Sequence, residues 1–507
     1  MTFPAEILTV SSMGEADAHA IKSGRSGYAL MQAAGNAMVD AITARFAPRA
    51  CAVLCGPGNN GGDGWEVAHR LAQQGWPVTL FSAVERSALR GDASLAASNW
   101  AEPVHTLDQF DPSPFGLVID ALFGAGLSRP LGGACKRVAE QLNASGCLVV
   151  SADIPSGLNG DLGRADGAVV QADLTVTFHR LKPAHLLQPG RSLCGEIVLA
   201  DIGIPGSWSQ SIADCGFINT SDLWNVPDPM ATADSHKHTR GRLCVLSGPP
   251  GSTGAARLSA RAGLIGGAGF VTLLSGADQV AELSLSEPAL VVRALDIGLA
   301  FGAKLSELRP HAVVLGPGAG LTSKLKSQTL ESLGAGVPLV LDADALSIFE
   351  DNPGALFEAL HDQVVLTPHA GEFARLFPDL IADDALNKIE ITRLAAKRSG
   401  AIIVHKGADT VIASPTGHVR VNVHASARLA TAGTGDVLAG LIGSFLAQGM
   451  NAFDSASAGV FIHGEAGRRC GPGASVESVL AQLPHALAHI RAHDRRKTAF
   501  ERLALQA

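Results

Sequence analysis

The chain has 507 residues, too many for one ordinary hydrophobic core, so two large domains are expected. Hydrophobic residues make up 47% of it and glycine occupies 57 positions against a single tyrosine, which describes Ala, Val, Leu and Ile cores joined by tight turns. A formal net charge of -8 gives no basic footprint, no basic-then-apolar leader opens the chain, and no run approaches the roughly 20 apolar residues of a membrane span, so neither nucleic acid nor membrane is an expected partner.

In chain order, short apolar runs at 51 (CAVLC), 78 (VTLF), 117 (LVID), 147 (CLVVSAD), 174 (LTVTF) and 196 (EIVLAD) alternate with helical periodicity. Such alternation predicts a mostly parallel, doubly wound α/β sheet. The first run enters a glycine-rich stretch at 56–64, followed by the helical pattern WEVAHRLAQQG. A strand-to-helix turn of this kind exposes backbone N–H groups to an anion, with the helix dipole adding attraction. It is neither a phosphate loop closed by Lys-Ser/Thr nor a GxGxxG turn, and alone it also reads as a turn that needs positive φ.

Two further loops follow strand ends: Asp120 runs into 121–130, and Asp153 opens 153–157. In parallel sheets ligands bind beyond the carboxyl ends of strands, so these loops can converge, although both aspartates also suit helix caps or turns.

A polar, proline-bearing stretch at 218–239 predicts a linker, with the boundary near Trp224. A second series of apolar runs then starts at 242 (RLCVLSG), 270 (FVTLL), 311 (HAVVLGPG), 338 (PLVLDAD), 363 (QVVLTPH) and 401 (AIIVHKG), predicting the same class of sheet again. The domains expected are 1–217 and 240–495. Near the carboxyl end ATAGTGD at 430–436 leads straight into a helical run, VLAGLIGSFLAQG. Glycines free the amides at a helix start to receive a phosphoryl group, and Asp436 stands where it can take a proton from a hydroxyl. Alone, this is equally an ordinary helix cap.

The eight cysteines are scattered without a CxxC pair or zinc spacing, and are read as reduced, mostly buried thiols of a cytoplasmic protein. His463, His485, His489 and His493 show no metal spacing and are read as surface residues on helices.

Taken in order, GPGNNGGDG, DALFGAGLSR and DIPSG resemble the YjeF amino-terminal domain, the NAD(P)H-hydrate epimerase family. The resemblance implies a Rossmann-like three-layer domain that binds its dinucleotide substrate through Asn59, Asn60, Gly61, Gly62, Asp63, Gly124, Ala125, Gly126, Leu127, Ser128, Arg129 and Pro130. It implies a potassium ion among Asn60, Asp120 and Ser156, a set of hard oxygen donors. Asp153 is expected to touch the substrate and to serve as acid/base group at C6 of the hydrated nicotinamide ring.

In the second half, GPPGSTGAA at 248–256, GPGAG at 316–320, TPHAGE at 367–372, KGADT at 406–410 and the GTGD helix start resemble the ribokinase-like fold, in its YjeF carboxyl-terminal branch of ADP-dependent NAD(P)H-hydrate dehydratases. Ser252 and Thr253 stand where that branch often has an aromatic residue and a serine. The resemblance implies that Ala255, Gly320, His369 and Asp436 line the substrate, while Lys406, Gly407, Ala408, Asp409, Thr410 and Gly435 hold the adenine nucleotide. His369 also reads as a loop histidine satisfied by backbone.

The resemblance covers about residues 7 to 491 and implies one chain with two activities. One interconverts the R and S forms of hydrated NADH and NADPH (NADHX, NADPHX). The other dehydrates the S form at the expense of ADP, giving AMP and phosphate, with Mg2+ in the dehydratase and a homo-oligomeric assembly. Hydroxide is a poor leaving group, so phosphorylation of the C6 hydroxyl followed by loss of phosphate is a sound route. Two rivals stand beside it: a vitamin-type kinase for the second domain, which would leave phosphate on its product, and a non-catalytic binding module for the first.

Overall fold

The computed structural model describes residues 5–210, 215–227, 240–286, 288–295 and 300–504, divided into two compact units, Met1–Phe217 and Ile218–Ala507. The first unit is built on β1 (Cys51–Cys55), β2 (Val78–Ser82), β3 (Val104–Thr106), β4 (Leu117–Ala121), β5 (Leu148–Ala152), β6 (Leu174–Phe178) and β7 (Glu196–Ala200). These lie in the order β3-β2-β1-β4-β5-β6-β7, and every pairing is parallel. The central strands are buried at every position because helices cover both faces, which is why they read as continuous apolar runs. Winding reverses between β1 and β4, so the loops leaving those two strands diverge and open a crevice at the carboxyl edge.

Helices α1 (Val10–Lys22), α2 (Gly27–Thr43) and α3 (Asn59–Gln73) pack beside this edge. The α3 helix begins inside the glycine-rich stretch, directly after Gly58. Its glycines serve close approach rather than left-handed backbone: a Cβ on Gly61 would lie 2.0 Å from the Gly56 carbonyl oxygen, and one on Gly56 only 1.7 Å from that of Leu122.

The second unit contains β8 (Arg242–Leu246), β9 (Phe270–Ser275), β10 (Val291–Ala294), β11 (Ala312–Leu315), β12 (Leu339–Leu341), β13 (Val364–Leu366), β14 (Ile402–His405), β15 (Thr410–Ala413) and β16 (Val419–Asn422). Their order is β10-β9-β8-β11-β12-β13-β14-β15-β16, parallel up to β14 and antiparallel over the last two. The GTGD sequence starts a helix, α5 (Thr434–Ala447), that packs against α4 (Gly254–Gly266) and is buried on nearly every side, as its unbroken apolar sequence requires.

Every apolar run read as a strand forms one, and both units belong to the doubly wound α/β class. Of the strands named above, four escape a sequence reading, β3, β10, β15 and β16. β3 and β10 lie at sheet edges, where fewer residues are buried and the apolar pattern weakens, whereas β15 and β16 are buried but only four residues long, too short for a clear period.

The segment expected to begin the linker is bound into the second unit. The Asn219 amide donates to the Val421 carbonyl, its side chain reaches Asn422 and the Ser457 carbonyl, and Trp224 is buried with its indole N–H donating to Asn219. The remainder of that stretch, 228–239, lies outside the described residues. All eight cysteines are free and six are buried. No helix among the described residues is long and apolar enough to cross a membrane.

Candidate active sites

The crevice of the first unit is a cavity of about 660 Å³. Its walls bring together Asn59, Asn60 and Asp63 from the first turns of α3, Gly124, Ala125, Gly126, Leu127, Ser128 and Arg129 from the loop after β4, and Asp153 from the end of β5. No side chain caps α3, so its first amides are available to an anion at the positive end of the helix dipole. Gly61 and Gly62 are buried behind this turn, and Pro130 stands outside the lining, near Gly167.

Asp153 adopts φ 61°, a left-handed conformation uncommon outside glycine, at the carboxyl end of β5. One carboxylate oxygen accepts from Lys182 Nζ at 2.6 Å and Thr177 Oγ1 at 3.0 Å; the other accepts from the Ala125 amide at 3.1 Å. Burial pushes its pKa up, but the Lys182 ammonium, His185 and these donors outweigh burial and hold it at about 2. Lys182 itself is 2% exposed. His185 locks the arrangement from behind, Nε2 lying 2.9 Å from the Asp153 carbonyl and Nδ1 accepting from the Lys182 amide at 3.0 Å. Burial, then Lys182, depress the His185 pKa to about 4, so the ring is neutral at neutral pH.

Asp120 is fully buried at the end of β4. It accepts from Ser156 Oγ at 2.6 Å, the Ser156 amide at 2.8 Å, Ser151 Oγ at 2.9 Å and the Leu122 amide at 3.3 Å. These four donors are neutral, and burial raises the carboxyl above its ordinary pKa. The Asn60 amide, oriented for hydrogen bonding, spans the Ala152 carbonyl at 3.1 Å and the Gly124 amide at 3.3 Å. A buried carboxylate with oxygen-rich neighbours and neutral donors suits a cation.

Lys182, Thr177, His185 and Asp17 were not singled out in the sequence. Lys182 follows β6 by four residues in an apolar stretch, LKPAHLL, where a buried charge signals a partner. Asp17 shares a helical face with Met13 and Ala20, both buried, which is the corresponding signal in α1.

In the second unit the motif loops converge on Asp342, at the end of β12. Lys406 Nζ donates to it at 2.8 Å and Thr367 Oγ1 at 2.8 Å, while a Cβ on Gly316 would lie 1.7 Å from its carbonyl oxygen. A Cβ on Gly435 would be 3.6 Å from Lys406 Nζ and 3.8 Å from an Asp342 carboxylate oxygen, so the start of α5 faces this pair. Asp436 lies in the first turn of α5. Burial first, then the charges of Asp342 and Asp344, raise its pKa to about 6, with Lys406 opposing.

The Gly320 amide donates to Asp344 at 2.8 Å, and Ala255, at the start of α4, adjoins Gly318. His369 caps the helix Ala370–Leu376: its Nδ1 accepts from the Gly371 and Glu372 amides, so the ring is held by backbone while half its side-chain surface, 56%, is exposed. Gly407 and Thr410 bond to each other across the 406–410 turn. Asp409 is tied at 2.7 Å to Lys388, whose charge the sequence reading missed. Asp342 and Asp344 were legible only as the polar end of a strand, PLVLDAD.

His463 departs from its expected surface position. It is 7% exposed, and burial, then the Lys406 charge, depress its pKa to about 4. The helix carrying it, Ala452–Arg469, packs against α5 and is covered on most faces. His485 and His489 are exposed as expected, and the His493 side chain lies outside the described residues.

Two family models match the chain: the YjeF-related protein N-terminus over residues 27–184, and NAD(P)H-hydrate dehydratase over residues 243–490. The bifunctional NAD(P)H-hydrate repair enzyme Nnr of Thermofilum pendens is 33% identical over 492 residues, covering 91% of this chain and 92% of that one. Its namesake from Escherichia coli K12 is 33% identical over 445 residues, covering 87% and 84%. Among solved structures, the ADP/ATP-dependent NAD(P)H-hydrate dehydratase of Bacillus subtilis, co-crystallised with ATP/Mg2+, aligns at 22% identity and a TM-score of 0.44 over 54% of this chain and 98% of that one. With both family models matched in order and full-length relatives at this identity, the chain belongs to the bifunctional NAD(P)H-hydrate repair enzymes, an epimerase domain followed by a dehydratase domain.

Proposed function

We propose that the first unit interconverts the R and S forms of NADHX and NADPHX at C6, and that the second dehydrates the S form to NADH or NADPH while ADP becomes AMP and phosphate. The observation that carries this reading is the pairing, in each unit, of an anion-receiving helix start with a perturbed carboxyl group: α3 with Asp153, and α5 with Asp436.

In the first unit the dinucleotide phosphates lie against the first turn of α3 and the 124–130 loop, and Asp153, fixed by Lys182, faces C6. Asn60, Asp120 and Ser156 would hold a potassium ion, whose charge would offset that of the buried Asp120 carboxylate. In the second unit Lys406 and the Gly435 amide receive the phosphoryl groups of ADP, and the 406–410 turn holds the nucleotide. Asp436 takes the proton of the C6 hydroxyl as that oxygen attacks phosphorus; a group with a pKa near 6 is well matched to that task. Phosphate then leaves C6 with its C–O electron pair while a proton is lost from C5 to solvent, and the C5–C6 double bond of the dihydropyridine forms. Mg2+ would be carried by the nucleotide phosphates, whose oxygens are the hard donors it prefers.

The test is a mixture of both hydrate epimers incubated with purified protein, with and without ADP, in buffers with and without potassium. Recovery of NADH absorbance from the whole mixture is expected only with ADP, and faster with potassium. A phosphorylated product that accumulates would favour the kinase rival, and recovery of the S form alone would favour a binding role for the first unit.

A further inference from the structure

Inverting C6 while leaving the rest of the ring unchanged is a two-proton problem. The hydroxyl leaves as water only after it gains a proton, its C–O electron pair departing on oxygen as the ring nitrogen lone pair forms the N1–C6 double bond. Water then adds to the opposite face, the new C–O bond drawing on its lone pair, and must lose a proton. One group has to give a proton and another to take one.

Asp153 is poorly suited to be both. Its carboxylate is committed to Lys182, Thr177 and the Ala125 amide, an arrangement that holds it ionised. The cavity offers a second carboxyl of opposite character. Asp17 stands on α1, four residues after buried Met13 and three before buried Ala20, so helical spacing turns it inward, and it lines the same cavity as Asp153, Asp63 and Lys182. Among the described residues its carboxyl accepts no hydrogen bond, unlike that of Asp153. It enters the cavity from a different element than Asp153, one that lies before the stretch matched by the family model, 27–184. Paired carboxyls whose surroundings push their ionisation apart are the pattern of a donor and an acceptor.

We propose that Asp17 is the second proton-transfer group of the epimerase site, giving its proton to the departing C6 hydroxyl while the Lys182-held Asp153 carboxylate accepts one from the incoming water. Between turnovers the proton passes back from Asp153 to Asp17 through solvent in the open cavity, so the cycle consumes nothing. This inference rests on the epimerase reading of the first unit.

The experiment uses the full chain with Asp17→Asn and Asp17→Glu. Asp17→Asn should slow epimerisation by roughly a hundredfold to ten-thousandfold, the usual worth of a positioned acid or base, while ADP-dependent recovery from the S epimer stays unchanged. Asp17→Glu should restore part of the rate. Three titratable groups face Asp17, namely Lys182, Asp153 and Asp63, the last itself pushed well above the ordinary carboxyl range by burial, and burial is the largest influence on Asp17, raising its pKa to about 6. Epimerisation kcat/KM in the unsubstituted chain should therefore decline as pH rises through that region, and Asp17→Asn should lack this limb. An Asp17→Asn protein that epimerises at the full rate, or one that retains the limb, overturns the proposal alone. Absence of epimerisation in the unsubstituted chain overturns the epimerase reading, and the proposal with it.

Discussion

Lys182 and His463 are both buried ionisable side chains, and they differ in their neighbours. Lys182 meets the Asp153 carboxylate at 2.6 Å, and each charge justifies the other. Among the described residues no carboxylate answers His463: burial and the nearby Lys406 charge both disfavour its cation, and its pKa falls to about 4. An unfolded imidazole binds a proton below its ordinary 6.5, whereas the folded one waits until about 4, so between those values the unfolded state holds more protons and stability is lost as pH falls. His463→Gln should therefore show a smaller drop in the urea midpoint of the dehydratase activity between pH 7 and pH 5 than the unsubstituted protein. An identical drop would mean that this imidazole is already free to protonate in the folded unit. Nothing in the local sequence separates His463 from His485 or His489; the difference comes from which helix the rest of the unit covers.

At the scale of elements, α5 joins packing and chemistry in one segment. Its first turn carries Gly435 and Asp436, while a Cβ on Gly440 would lie 2.0 Å from the Ser259 carbonyl oxygen of α4. Backbone cannot yield to a methyl group at that distance without moving the two helices apart, and overpacking of this kind costs about 1–3 kcal/mol. Gly440→Ala should lower the temperature at which dehydratase activity is lost and leave the inactivation of the epimerase where it was. Equal heat resistance of both activities in that variant would show that the α4–α5 contact is slack. The helix itself was legible from its apolar run and the GTGD start, as were the twelve strands that carry apolar runs. The edge strands β3 and β10 were not: a strand such as Val104–Thr106, exposed at two of its three residues, presents no apolar face for periodicity to reveal.

For the whole molecule, each set of site residues lies within one unit, so the two activities should be separable and also shareable between chains. Asp436→Asn keeps side-chain size and removes basicity; dehydration should fall by roughly a hundredfold to ten-thousandfold while epimerisation survives. Asp153→Asn should do the reverse, leaving the S epimer consumed with ADP and the R epimer converted only as fast as it isomerises unaided. An equimolar mixture of the two variant proteins should then recover NADH from both epimers, because the S form made by one chain is free to diffuse to the other. Failure of the mixture, with each variant retaining its single activity, would mean that the intermediate does not leave the chain that forms it.

The order of strands and helices, the two-domain plan and the glycine-rich turns were determined by the sequence itself, because buried parallel strands and helix starts impose local patterns of apolar and small residues. The motif loops around Asp120, Asp153 and Asp436 were legible for the same reason: the first two sit where a strand ends and the third where a helix starts. What lay beyond the sequence was partnership. That Lys182 and His185 fix Asp153, that Asp17 turns into the same cavity from α1, and that Asp342 gathers Lys406, Thr367 and the start of α5 are contacts between residues far apart in the chain. Only the tertiary structure sets the burial and charge around each group, and with them the ionisation on which proton transfer depends.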